Sequence, residues 1–266
     1  MTKGGDIITR LKPVCEEGPF LATTSDKFLG GRVLLQQPKT GYRAAIDPVL
    51  LAAAVTAKAG QKVLDLGCGA GAAMLCLAAR VPGLTITGVE LQEDYAALAE
   101  LNVRNNSAIA MFHVKHGDAR KLPRSLAANS FDHIMVNPPF HDAKSYDPGP
   151  RAGKNLAQAM SVEDLNAWVK SAHGRLRHRG VLTMIYRADG LPDVLAALAG
   201  KFGGIAVLPL WPKAGVPAKR VLVRGVKDSK APFALLAGMI LHGDNGDYSI
   251  ETNNVLGDKI TAIDWP

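Results

Sequence analysis

Short apolar runs alternate with longer segments of helical period along most of this chain. Lys62–Leu66, Thr85–Glu90, Met111–His116 and Phe131–Val136 read as strands, and each ends at a polar or glycine-rich stretch. Between the first two, residues 72–81 read as a helix. Residues 92–106 form a second amphipathic stretch with Tyr95, Leu98 and Leu101 on its inner side. Downstream, helices are expected over 162–179 and 191–202, and strands over 180–186, 205–210 and 220–224. Strands alternating with helices in this way predict one α/β unit, a seven-stranded, mainly parallel sheet with helices on both faces.

Hairpin additions flank that unit. Residues 1–27 read as an irregular leader, and residues 27–42 as a hairpin with Gly30-Gly31 at its turn. Asp47 is expected as the N-cap, and Pro48 as the first residue, of a helix carrying the apolar run 49–55. Residues 239–242 and 248–251, joined by Gly-Asp-Asn-Gly-Asp, predict a second hairpin. The division expected is 1–46 for the leader and hairpin, and 47–266 for the catalytic domain with its C-terminal hairpin.

The strand at 131–136 stops abruptly at Asn137-Pro138-Pro139-Phe140. Neither proline has the N–H that a sheet ladder requires, so pairing must end there. Asn137, preceding a proline, is pushed towards an extended conformation, which leaves its amide and the Pro138 carbonyl free to face a cleft. Two acceptors followed by an aromatic ring suit a planar group bearing NH2: each hydrogen finds an oxygen, and the plane stacks on Phe140. A rigid turn after a strand is the plainer account of the same residues.

Three further strand ends supply acids or glycines. Gly67-Cys68-Gly69-Ala70-Gly71 lets the backbone turn tightly and approach a ligand. The same loop fits a dinucleotide fold, but Asp65 just before it suits a cationic amino-acid group better than a pyrophosphate. Glu90 stands about 20 residues beyond the loop, where a carboxylate can accept both hydroxyls of a ribose. Asp118 can accept from an adenine amino group or cap a turn.

Composition narrows the classes. Hydrophobic residues make up 47% of 266, enough for a sizeable core. No apolar stretch has the length of a membrane span and no signal peptide is evident, so a cytoplasmic protein without membrane contact is expected. Cys15, Cys68 and Cys76 lack ligand spacing, which predicts reduced thiols and no metal. Charge is unevenly spread: residues 144–230 carry 15 Lys and Arg against 6 Asp and Glu, whereas residues 61–143 carry 7 against 8. Lys144, Arg151, Lys154, Arg175, Arg177, Arg179, Lys213, Lys219 and Arg220 are therefore expected as a basic surface at the cleft mouth, suited to RNA, with solvated faces as the alternative.

The ordered set DLGCGAG, GVE, GDA and NPPF resembles the class I S-adenosylmethionine-dependent methyltransferases of the amino-group type. That resemblance implies S-adenosylmethionine as cofactor and S-adenosylhomocysteine as product. It places Asp65, Gly67, Cys68, Gly69, Glu90, Leu91, Asp118 and Ala119 around the cofactor, with Asn137, Pro138, Pro139 and Phe140 at the target amine. Asn137 borders the cofactor as well. By analogy with motifs that precede the loop in such enzymes, Arg43 and Asp47 lie near the methionine end.

The segment QQPKTGYRAAIDPVLLAAA, with VLVRGVKD and LHGDNGDYSIE, is similar to the bacterial adenine-N6 methyltransferases acting on adenine-37 of valine tRNA. This implies tRNA as partner; it says nothing of oligomeric state. Phe140-His141 also resembles the guanine-N2 methyltransferases of ribosomal RNA, and an Asn-Pro-Pro motif occurs in glutamine-N5 methyltransferases of proteins. A non-catalytic RNA-binding protein is a further alternative. Residues 142–153, rich in Pro, Gly and charge, are expected to form a substrate loop.

Overall fold

The computed structural model describes residues 22–106, 110–139, 160–257, 259 and 262–265. Its centre is a nine-stranded sheet. Seven strands make up the body: β3 (Lys62–Leu66), β4 (Thr85–Glu90), β5 (Met111–His116), β6 (Phe131–Val136), β7 (Leu176–Arg187), β8 (Phe202–Trp211) and β9 (Arg220–Lys227). Two-residue strands β10 (Ala234–Leu235) and β11 (Met239–Ile240) extend it along β8.

Along the sheet the order is β8-β9-β7-β6-β3-β4-β5. Every pairing is parallel except those of β9, which runs against β7 and β8. From β3 the chain steps outward to β4 and β5, then returns to β6 on its other side. This reversal opens a crevice beyond the carboxyl ends of β3 and β6, the usual ligand position in open α/β sheets.

Alternation along the buried strands feeds two cores. Val63, Met135 and Ile185 face the layer containing α1 (Asp47–Ala54) and α2 (Ala72–Arg80). Leu64, Ile134, Val136, Leu182 and Met184 face the layer of α4 (Val162–Arg175) and α5 (Leu191–Leu198). Helices therefore cover both faces, as a central parallel sheet demands. Among the described residues, no helix is long and apolar enough to cross a membrane.

The N-terminal hairpin is present, formed by β1 (Thr23–Phe28) and β2 (Val33–Pro38) around a turn at Leu29–Gly31. Its first strand starts inside the expected leader. Thr-Thr-Ser-Asp-Lys-Phe has no apolar alternation to announce it, and it is ordered by pairing with β2. The other edge of β2 is closed by two side chains of α3 (Glu93–Asn105) and its cap. Asn102 accepts from Gln36 N–H at 2.7 Å and donates to its carbonyl at 2.9 Å. Asn106 does the same for Leu34 at 3.1 and 2.8 Å. Two amides thus supply a strand's worth of pairing to an edge that would otherwise be open.

Three expectations are corrected. Ile46, not Asp47, is the N-cap of α1; Asp47 is already helical. Residues 176–179 belong to β7 rather than to the preceding helix. The C-terminal hairpin is reduced to one antiparallel bridge, His242 with Tyr248, because Ser249 accepts from Thr252 N–H and starts α6 (Ile250–Leu256) where the returning strand was expected.

Candidate active site

The cleft at the β3/β6 reversal has ≈ 410 Å³ of free space, open solvent at its mouth included. Asp65, Gly67, Cys68, Gly69 and Asn137 line it, together with Gln37, Tyr42, Ala44, Pro48 and Tyr95. Its floor is the glycine loop. Gly67 and Cys68 N–H both donate to the Val89 carbonyl, at 2.8 and 3.1 Å, which ties the loop to β4. Gly67 has φ +68, and a Cβ there would lie 2.6 Å from the Trp168 ring of α4, so both backbone and space require glycine.

Asp65 is the most informative side chain. It is 1% exposed, and its Oδ2 has no hydrogen-bond partner. Burial, then the neighbouring Glu90 charge, hold its carboxyl well above the ordinary range, with the Met74 N–H as partial compensation. A buried acceptor facing a cleft without a donor is completed by a cationic group. Glu90, at the end of β4, accepts from Gly69 N–H and Gln92 N–H at 2.9 Å each. Each oxygen retains a second acceptor direction for a ligand hydroxyl. These acceptors therefore fit S-adenosylmethionine, with Asp65 for its cationic end and Glu90 for its ribose.

At the other side of the crevice, Asn137 follows β6 directly, Pro138 is buried and Pro139 is exposed. The Asn137 amide lies on the same cleft wall as Tyr42, within reach of its hydroxyl. Phe140, expected to stack on the substrate, lies outside the described residues, as does the loop 142–153.

Other expected positions are not among the residues lining this cleft. Arg43 is turned towards the hairpin, donating to Asp26 Oδ2 at 2.6 Å, Pro38 O at 2.7 Å and Thr24 Oγ1 at 2.9 Å. Asp47 pairs with Arg220 at 3.3 Å. Burial raises its carboxyl and Arg220 opposes the shift. Leu91 is half-exposed beyond Glu90, and its carbonyl contacts His116 Nε2 at 2.8 Å. Ala119 is packed in the core.

Asp118 forms the turn foreseen as its plainer role, accepting from Arg120 N–H at 2.8 Å. Both its oxygens are gripped by the Arg120 guanidinium at 2.8–3.0 Å, which holds the carboxyl below its usual range. Arg120 also reaches Asp164 at 3.0 Å.

The basic surface is corrected in part, and its Lys144, Arg151 and Lys154 lie outside the described residues. Arg175, Arg177 and Arg179 lie at the amino ends of the parallel strands, where Arg177 pairs with Asp132 at 2.7 Å. Residues 181–187 of β7 alone separate them from the cleft rim by roughly 20 Å. Charge counting along the chain carries no information on which end of a strand a residue occupies. Lys213, Lys219 and Arg220 do stand at the rim, on and after the loop joining β8 to β9.

Sequence reasoning missed Tyr42, Gln37, Ala44, Pro48 and Tyr95 as cleft residues. Tyr42 directly precedes Arg43, so the segment expected at the cleft is there, and the side chain it contributes is the neighbouring one.

An open sheet with this strand order, a glycine loop beneath a buried acid, and Asn-Pro-Pro at the adjoining strand end define an S-adenosylmethionine-dependent methyltransferase. Residues 44–208 match the model of the methyltransferase small domain, and the chain belongs to that family. A tRNA1(Val) (adenine(37)-N6)-methyltransferase of Yersinia enterocolitica is 30% identical over 141 residues, covering 53% of this chain and 52% of its own length. A release factor glutamine methyltransferase of Chlorobaculum tepidum is 25% identical over 194 residues, 68% of this chain and 64% of that protein. The chain thus spans about half to two thirds of these curated relatives. A solved Agrobacterium tumefaciens protein, described as a predicted O-methyltransferase, shares the fold with a TM-score of 0.67 at 24% identity, over 82% of this chain and 98% of that one.

Proposed function

We propose that the protein methylates the exocyclic N6 amine of an adenine in tRNA, with adenine-37 of a valine tRNA as the first candidate. The observation carrying this reading is the placement of Asn137-Pro138 at the end of β6, on the same cleft as Asp65, whose Oδ2 has no hydrogen-bond partner. The Yersinia relative supports the choice of acceptor.

S-adenosylmethionine, when bound, supplies an electrophilic methyl group. The chain's own residues hold and orient the partner. Asp65 pairs with the cationic end of the cofactor, Glu90 accepts from its ribose, and the glycine loop lies against it with no side chain between. An aromatic amine is a weak nucleophile because its lone pair is delocalised into the ring. Asn137 Oδ1 and the Pro138 carbonyl accept its two hydrogens and favour a pyramidal nitrogen, while Phe140 stacks on the base. Acceleration comes chiefly from positioning and electrostatics. No strong base is needed, since the nitrogen becomes acidic only after methylation.

An adenine beside an anticodon is cheaper to turn out of its stack than one in a duplex. Lys213 and Lys219, exposed on the rim loop, are positioned to meet RNA phosphates. The hairpin up to residue 46 acts as an appendage forming one wall of the catalytic domain. A cytoplasmic location follows from the substrate.

Glutamine-N5 methylation of a protein is the second reading. A primary amide offers the same two hydrogens to Asn137 and Pro138, and the Chlorobaculum relative favours it. Incubation with cofactor and, separately, unmodified tRNA, ribosomal RNA and a release factor, followed by mass spectrometry, separates these outcomes. N6-methyladenosine from tRNA is expected. N2-methylguanosine from ribosomal RNA, or N5-methylglutamine in the release factor, would overturn the assignment.

A further inference from the structure

Asn137 has a fixed backbone and a free amide. The prolines that follow restrict its main chain, but rotation about χ2 remains broad and twofold, so nothing local decides which way the amide plane lies. An amide turned the wrong way presents NH2 to an amine that is itself a donor. Such a site requires a second group to hold the plane.

Tyr42 occupies that position. It lines the cleft beside Asn137 with its hydroxyl within reach of the amide, and its ring passes over the glycine loop, 4.0 Å from where a Gly69 Cβ would be. The tyrosine is itself held from both sides. Its carbonyl accepts from Tyr95 Oη at 3.0 Å. Arg43 is fixed to Asp26, Thr24 and Pro38 of the hairpin. Ala44 N–H donates to Gln37 Oε1 at 2.7 Å, and Gln37 Nε2 returns to Asp26 at 2.8 Å. The buried Gln37 and the Asp26–Arg43 pair thus clamp the residues flanking Tyr42 to β2.

We propose that Tyr42 is a positioning residue for Asn137, holding its amide plane so that Oδ1 meets the amine being methylated. This deepens the functional reading above and rests on it. With Nδ2 donating to the Tyr42 oxygen, Oδ1 is left to face the arriving amine. The phenol remains protonated throughout the working range, since burial and then the Asp47 charge push its ionisation up to about 12.

Tyr42→Phe keeps the ring and removes the hydroxyl. In cofactor-saturated protein labelled with 15N, the Asn137 side-chain amide resonance, assigned by its loss in Asn137→Asp, is expected to shift and broaden in Tyr42→Phe. Turnover on the acceptor found above should fall by about tenfold to a hundredfold, with cofactor Kd within about twofold of wild type. A purely structural tyrosine would instead weaken cofactor binding and turnover together. That pattern, or an unmoved Asn137 resonance, or turnover within twofold of wild type, would overturn the inference. Should the wild-type protein methylate none of the acceptors, the functional reading fails, while the Asn137 resonance still decides the role of Tyr42.

Discussion

Asp65 and Glu90 stand at the carboxyl ends of adjacent strands, and the Glu90 charge adds to burial in keeping the Asp65 carboxyl protonated well above the ordinary range. A cation bound at Asp65 requires the carboxylate form. Cofactor affinity should therefore rise with pH up to the raised Asp65 value, with release of up to one proton on binding below it. Calorimetry in buffers of different ionisation enthalpy measures that release. An affinity that does not rise with pH above 3.8, with no proton released, would remove Asp65 from the cation site.

The same carboxyl opposes folding of the free protein. Because its folded value lies above 3.8, the folded state binds the extra proton, and stability is lost as pH rises from there to the raised value. Asp65→Asn should remove this penalty at pH 8, raising Tm by about 2–4 °C for each kcal/mol relieved, while weakening cofactor binding about tenfold to a hundredfold. Thermal melts with and without cofactor show both effects with opposite signs.

Asn137→Ala removes an acceptor that the reacting amine needs and leaves the glycine loop untouched. A fall in kcat of about a hundredfold to a thousandfold is expected, with cofactor Kd nearly unchanged. Near-normal turnover would exclude the assigned role.

On the rim, replacing Lys213 and Lys219 together by Ala should weaken RNA binding and lower the slope of log affinity against log salt by roughly 0.9 for each phosphate no longer neutralised. Arg179→Ala, at the opposite end of the sheet, should leave both unchanged. Equal effects from the two ends would mean that RNA wraps the whole molecule.

His133 lies 5% exposed beneath the amino ends of the strands, and burial lowers its value from 6.5 to about 4. A histidine held neutral contributes stability that is present above 6.5 and lost as pH falls towards 4. The loss is on the order of 3 kcal/mol at most. His133→Gln should flatten the acid limb of the stability profile between these values, measured by denaturant titration at successive pH.

The parallel body was legible because β3, β4 and β6 are buried on both faces and stop beside glycine, acid or proline. Asp65, the glycine loop, Glu90 and Asn137 could be found for that reason: each stands one step beyond an apolar run. The residues that escaped detection depend on contacts far apart in sequence. Gln37 is a polar residue in a strand with no sign that it is buried, and Tyr42 acquires its role only when the hairpin folds over the glycine loop. Asp118 shows the converse. Its position after β5 is legible, but Arg120 two residues on takes up both carboxylate oxygens. Ser249 capping a helix inside an expected hairpin is a local signal outweighed by the Asn-Gly turn before it.

The reversed direction of β9 sorts the molecule's cations by latitude. A parallel β9 would need a long crossover and would begin beside Arg177. Running the other way, it follows β8 through one short loop and begins at the reacting pole, delivering Lys213, Lys219 and Arg220 there without a helix to cover them. One strand's polarity thereby gives the two ends of a single sheet different cations, Arg177 paired with Asp132 at one and the exposed Lys213 and Lys219 at the other.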